Sequence, residues 1–266
     1  MTNSPKTRGL SPVNGGEEPF QGEHGRRDRR LWIHPAVEVG QNAAVAEETE
    51  DRERVRALRA RAFLEATAEV ARLLGISDEA PGSDKARARR LAGRVRKPLR
   101  ESTRLPEEFF VPVMAAAVAD PDPSFCGWFV EPALHSFGRS RVQAALVEYL
   151  RSGTDAERAG ALRAWYWTGM PLRAPRSPAH EPHGTRASAQ DASQDVWEAW
   201  LEVSMQVFAE ATDTWIRYRI LLMLPVSRES YPPRLHDLFE RTLSIARTDS
   251  DEDNRRWARA VDRARS

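Results

Sequence analysis

Residues 139–169 read RSRVQAALVEYLRSGTDAERAGALRAWYWTG, and their pattern decides the fold class. Val142, Ala145, Leu146, Tyr149 and Leu150 recur at i, i+3, i+4, i+7 and i+8, the spacing that gathers apolar side chains on one face of an α-helix. Gly153 ends that run. Thr154 with Glu157 three residues on is a capping box, in which each residue's side chain satisfies a free backbone N–H of the other. The helix it opens carries Leu162, Trp165 and Tyr166 inward and stops at Gly169, with Pro171 just beyond. A connection this short leaves the two helices only an antiparallel arrangement, an α-hairpin.

The same punctuation recurs along the chain. Leu150-Arg-Ser-Gly-Thr154-Asp155 is matched by Phe208-Ala-Glu-Ala-Thr212-Asp213 and, shortened, by Ile245-Ala-Arg-Thr248-Asp249; Arg158, Arg217 and Arg255 follow. Ala119-Asp120-Pro121-Asp122-Pro123 divides the apolar segments 106–119 and 124–137 in the same way. First helices are expected near 106, 140, 195 and 232, giving spacings of 34 and 37 residues, and a period in the thirties is a mark of helical repeats. Pro171, Pro175, Pro178 and Pro182 forbid a continuous helix through 170–194, which reads as a disordered insertion. Ahead of the repeats, a helix is predicted from Thr49 to Leu74 with Val55, Leu58, Ala62, Ala66, Val70 and Leu73 on its apolar face, ended by Gly75. A second follows Pro81-Gly82-Ser83. Residues 1–46 are rich in Gly, Pro, Ser, Asn and charge and read as a disordered tail with one apolar cluster, Leu31-Trp32-Ile33, beside the basic run Arg26–Arg30.

The organisation expected is therefore a tail (1–46), N-terminal helices (47–104) and helical repeats (105–264). Over 105–264 the chain resembles HEAT-repeat proteins, in its helix–turn–helix period, the Asp of the turn (Asp155, Asp213, with Asp122 and Asp249), the Arg of the next helix, and Pro112 and Pro132 at or near helix starts. The resemblance implies an all-α, right-handed stack of antiparallel hairpins, an α-solenoid that presents a binding surface rather than a reaction. The insertion departs from a regular array.

Composition narrows the function classes. Mean hydropathy is −0.59 and no apolar run approaches the ~18–20 residues of a membrane span, so no membrane partner is expected. The start of the chain lacks the apolar segment of a secretory signal, and a cytoplasmic location is expected. Cys126, the only cysteine, reads as a small hydrophobe inside Phe125-Cys126-Gly127-Trp128-Phe129 rather than a nucleophile. Residues 1–104 carry a net +5 and residues 105–266 a net −4.

Chemical constellations are sparse. His180-Glu181-Pro182-His183 has the wrong spacing and a proline where a zinc helix needs two His on one face. Asp249-Ser-Asp251-Glu-Asp253-Asn254 starts like a calcium loop, but Asn254 and Ala260 stand where Gly and Glu are required, and Ser250 or Asp251 capping a last helix explains the run better. His135 and His236 stand alone. No phosphate loop, dinucleotide fingerprint or nucleophile elbow occurs, and neither metal nor cofactor is expected. A base-excision glycosylase of HEAT-like fold, which holds a modified base with aromatics and an Asp, ranks third. Trp165 and Trp200 fall on core-facing stripes, and Trp167 is the tryptophan expected to be partly exposed and to join the partner-binding residues.

Most functional content lies in residues 85–100. Ala88, Leu91, Ala92, Val95 and Leu99 share one arc of a helix, and Lys85, Arg87, Arg89, Arg90, Arg94, Arg96, Lys97 and Arg100 cover the rest; Glu101 is the only acid from 85 to 104. Pro98 is expected to kink or end this helix. Two readings stay open: the polar outer face of a capping helix, and a surface for phosphate backbone or an acidic protein through Lys85, Arg87, Arg90, Arg94, Lys97 and Arg100. The sequence thus points to a non-enzymatic binding module whose partner is another protein, with nucleic-acid binding through the 85–100 face as the alternative.

Overall fold

The computed structural model describes residues 35–77, 80–102, 104–170 and 186–265, with side chains from 53–77, 80–102, 104–170 and 193–265. Two compact units divide the chain, residues 1–47 and 48–266. Of the first, only the helical backbone from Pro35 onward is described. Among the described residues the fold is all helix and turn, with no strand: α1 (Pro35–Leu73), α2 (Asp84–Glu101), α3 (Phe110–Ala119), α4 (Gly127–Phe137), α5 (Arg139–Ser152), α6 (Asp155–Thr168), α7 (Arg186–Glu210), α8 (Thr214–Met223), α9 (His236–Arg247) and α10 (Glu252–Arg265).

The hairpin of residues 139–169 forms as its spacing predicts. Val142, Leu146, Val147 and Leu150 of α5 are buried. Thr154 Oγ1 accepts from the Glu157 N–H while Glu157 Oε2 accepts from the Thr154 N–H at 2.8 Å, closing the capping box that starts α6. Later caps use the acid of the turn: Asp213 Oδ1 accepts from the Trp215 and Ile216 N–H groups at 2.8 and 3.1 Å, and Asp251 Oδ1 from those of Asp253 and Asn254 at 2.8 and 3.4 Å. Asp251 rather than Ser250 therefore caps α10.

The helices pack in pairs, and α3 also packs on α6. α3 pairs with α4, α5 with α6, α7 with α8 and α9 with α10. Across hairpins, α5 packs on α7 and α7 on α9, while α2 packs on α4, α4 on α6, α6 on α8 and α8 on α10. Helix α7 lies between α5 and α9 and carries a correspondingly wide apolar face: Trp200, Leu201, Val203, Met205, Val207 and Phe208 are buried. Trp200 stacks on Trp165 of α6 at 3.7 Å between ring centroids, 6° from parallel. Gly160 lets α6 approach α3 until a Cβ would collide with the Val118 carbonyl. Gly138, at φ +83, takes the chain from α4 into α5 in a conformation that L side chains rarely adopt.

Several expectations are corrected. Helix α1 begins at Pro35, not Thr49, and runs across the division between the two units; a proline at the first helical position supplies a fitting φ and loses no hydrogen bond. Its core face is Phe63, Leu64, Thr67, Val70 and Ala71, whereas Val55 and Leu58 are 44% and 61% exposed and Ala62 is exposed. Periodicity shows that a face exists but not where neighbours stop, and residues 53–59 are exposed. The helix ends in a Schellman turn, with Ile76 N–H donating to Ala71 O and Gly75 N–H to Arg72 O, and Gly75 at φ +68. Helix α7 starts at Arg186, inside the expected insertion 170–194, because no proline interrupts 186–224. First helices start at 110, 139, 186 and 236, so the even period does not hold: the insertion precedes α7, and two 3₁₀ turns, Arg228–Ser230 and Pro233–Leu235, precede α9. Tyr166, expected inward, is 53% exposed. Residues 1–34, with Leu31-Trp32-Ile33 and Arg26–Arg30, and residues 171–185, with His180 to His183, lie outside the described residues. No helix among the described residues is long and apolar enough to cross a membrane.

Candidate binding face

The apolar arc of α2 is placed as its spacing predicts: Ala88, Leu91, Ala92, Val95 and Leu99 are buried, and Ser83 caps the helix by accepting from the Ala86 N–H. Pro98 does not end it, since α2 continues to Glu101. Much of the basic arc is committed within the chain. Arg90 donates to the carbonyls of Ala80 and Pro81 at 2.8 and 3.3 Å, and Arg94 donates to that of Ser77, so both pin the α1–α2 connection onto α2. Arg89 reaches Asp120 at 3.3 Å and Asp122 at 3.7 Å. The Arg96 guanidinium lies 3.5 Å from the centre of the Trp128 ring, a cation–π contact between α2 and α4. Lys97 approaches Glu101 at 3.9 Å. Lys85, Lys97 and Arg100 are exposed and Arg87 is half-buried. The eight basic residues of 85–100 are thus a bracing layer as much as a surface.

Trp167 is half-buried and packs against the α3–α4 turn. Its Nε1 donates to Pro123 O at 2.9 Å and its ring lies on Gly127, where a Cβ would come within 2.7 Å of the ring carbon Cδ2. At the same α3–α4 turn, the buried Asp120 accepts from the Asp122 N–H at 2.9 Å and from Arg89, while its carbonyl accepts from Arg163 at 3.0 Å. Burial pushes the Asp120 carboxyl up to about 6 against the opposing pull of the Asp122 N–H, Arg89 and Arg163. Burial outweighs the ion pair because the carboxylate is wholly enclosed while Arg89 keeps about a third of its side chain in solvent. Burial likewise pushes the Cys126 thiol up to about 12, so it is protonated at neutral pH and packs as a small apolar group.

Sequence reasoning missed three exposed large apolar side chains on α6 and α8. Tyr166 on α6 is 53% exposed, and Trp215 and Leu222 on α8 are 42% and 56% exposed, on two helices that pack side by side. Arginines accompany them. Burial lowers the Arg163 guanidinium from its ordinary value, and the charges of Arg59 on α1 and Arg219 on α8 reach it and lower it further, with Asp120 opposing. Arg219 lies 5.6 Å from the Trp215 ring centre. The Nε atoms of Arg163 and Arg219 are enclosed without a hydrogen-bond partner. A signal was present: Trp215, Arg219 and Leu222 recur at i, i+4 and i+7, and Arg163 and Tyr166 at i, i+3, but these read as a core stripe until the neighbours are known.

Among the described residues no group of three or more His, Cys, Asp or Glu side chains is placed to hold a metal ion. His236, the first residue of α9, has its Nε2 3.0 Å from Tyr231 O. Comparison with protein-family models, curated proteins and solved structures finds no match to this chain.

Proposed function

We propose that the chain is a non-enzymatic protein-binding module, a HEAT-like right-handed α-solenoid that engages its partner through the outward face of α6 and α8. The observation that carries this reading is the exposure of Tyr166, Trp215 and Leu222 beside arginines, because Trp, Tyr and Arg are the residues in which interface energy concentrates. The solenoid reading is supported by the serial packing of α5–α7–α9 and α4–α6–α8–α10. It is also supported by the way turn acids meet arginines of neighbouring elements, Asp120 with Arg89 and Asp249 with Arg217, the latter at 2.9 Å. The nucleic-acid reading through α2 is weakened by the internal bonds of Arg89, Arg90, Arg94 and Arg96.

The test is the triple variant Tyr166→Ser, Trp215→Ser, Leu222→Ser in the full chain, compared with Glu148→Ser on the exposed side of α5. Partner capture from the native host is expected to be lost in the triple variant and kept in the control, with thermal midpoints alike. Equal capture by both would overturn the reading. Retention on DNA or heparin that falls steeply with salt would instead favour nucleic acid.

A further inference from the structure

Helix α1 carries its charge in two consecutive blocks. Residues 35–51 hold five acids (Glu38, Glu47, Glu48, Glu50 and Asp51) and no base, and residues 52–61 hold five arginines against one acid, Glu53. Within each block like charges stand three and four residues apart: Glu47 with Glu50 and Asp51, Arg56 with Arg52 and Arg59. At that spacing they repel along a lone helix. Acids before bases suit the helix dipole, but the dipole acts only within the first and last turn, and Glu47 and Arg61 each stand about three turns inside α1. Residues 53–59 are exposed, among them Val55 and Leu58, which are three apart and so share one side of the helix. Arg54, Arg56 and Arg59 are exposed with them, and of the described arginines in this block only Arg61 forms an ion pair with a described carboxylate, Glu65 at 2.9 Å. A helix in water takes most of its stability from a neighbour that covers such an apolar pair.

We propose that this neighbour is α1 of a second copy of the chain, laid antiparallel about a two-fold axis between Asp51 and Arg52. Charge complementarity selects the occupant. A two-fold interface must match itself, each residue meeting in the other copy the residue that meets it in return. A helix with a block of one sign followed by a block of the other meets that condition when it is reversed on itself. Antiparallel pairing sets the arginine block of each copy against the acidic block of the other, with Arg56 opposite Glu47. The same register sets Leu58 opposite Val45, in the apolar run Ala43-Ala44-Val45-Ala46. A parallel pair would set acid on acid and arginine on arginine. An antiparallel pair centred on Val55 and Leu58 would bring Arg54 against Arg59.

The test uses the full chain. Sedimentation velocity is expected to show a species of twice the chain's 30.0 kDa that grows with protein concentration and dissociates in about 1 M salt. One variant combines Arg54→Glu, Arg56→Glu and Arg59→Glu; another combines Glu47→Lys, Glu48→Lys, Glu50→Lys and Asp51→Lys. Each gives the two blocks one sign, so each alone is expected to weaken the dimer at least about a hundred-fold, while an equimolar mixture of the two restores it. Recovery in the mixture also shows that both variants fold. Orientation is read from Ala46→Cys and Ala57→Cys, which the proposed register sets opposite each other; the native Cys126 is buried. The two cysteine variants are expected to join by a disulfide when oxidised together and not when either is oxidised alone. A monomer at every concentration, a dimer untouched by both charge variants, or no recovery in their mixture overturns the proposal. Disulfide-linked dimers of either cysteine variant alone overturn the antiparallel order on which it rests.

Discussion

Gly160 and Asp120 show how single positions carry the packing. Replacing Gly160 by Ala drives a Cβ into the Val118 carbonyl, a backbone atom with no rotamer to escape to. The expected loss is about 1–3 kcal/mol in urea unfolding, the usual cost of overpacking a close contact. Asp120 makes a pH prediction of defined sign. Its folded carboxyl titrates near 6, above the ordinary value of 3.8, so the folded state binds the proton first. Its contribution to stability is fully present below 3.8 and is lost as pH rises through about 6. Asp120→Asn keeps an oxygen acceptor and removes the titration. The stability of the wild type relative to this variant should therefore fall between those two pH values, by on the order of 3 kcal/mol at full extent. Urea unfolding across that window checks it, and parallel curves would refute it.

Helix α2 makes the sharpest contrast between a legible pattern and its use. Its five buried residues follow directly from 100° per residue, because an apolar arc has nowhere else to go. What its arginines do was not legible, because their acceptors, the carbonyls of Ser77, Ala80 and Pro81 and the Trp128 ring, are brought to α2 by chain folding and carry no sequence mark. The consequence is testable. Arg90→Glu with Arg94→Glu should lower the thermal midpoint and open 76–82 to proteolysis. Lys97→Glu with Arg100→Glu, both exposed, should stay within about 0.5 kcal/mol of wild type. Helix α1 teaches the same lesson from the other side. The i, i+3, i+4 pattern of Val55, Leu58 and Ala62 continues into Ala66 and Val70, but burial begins only at Phe63, where α1 meets Phe129 of α4 at 6.3 Å.

The hairpins were legible because their caps are local: Thr154 with Glu157 and Asp213 with Trp215 need only neighbours in sequence. Which helices meet across hairpins, α5 with α7 and α7 with α9, α4 with α6, α6 with α8 and α8 with α10, was not, and with it went the sidedness of α6 and α8. Trp165 and Tyr166 are adjacent in sequence, yet the first stacks on Trp200 and the second faces outward, since successive helical residues point about 100° apart. That sidedness carries the functional reading, and site-specific photocrosslinking tests it most directly. A photoreactive residue is placed in turn at Tyr166, Trp215, Leu222, Glu148 and Arg241 of the full chain and irradiated in the native host. The account predicts protein adducts of one mass from the first three positions and none from the last two. Equal adducts from both sets, adducts only from the α5 and α9 positions, or adducts removed by nuclease would contradict it.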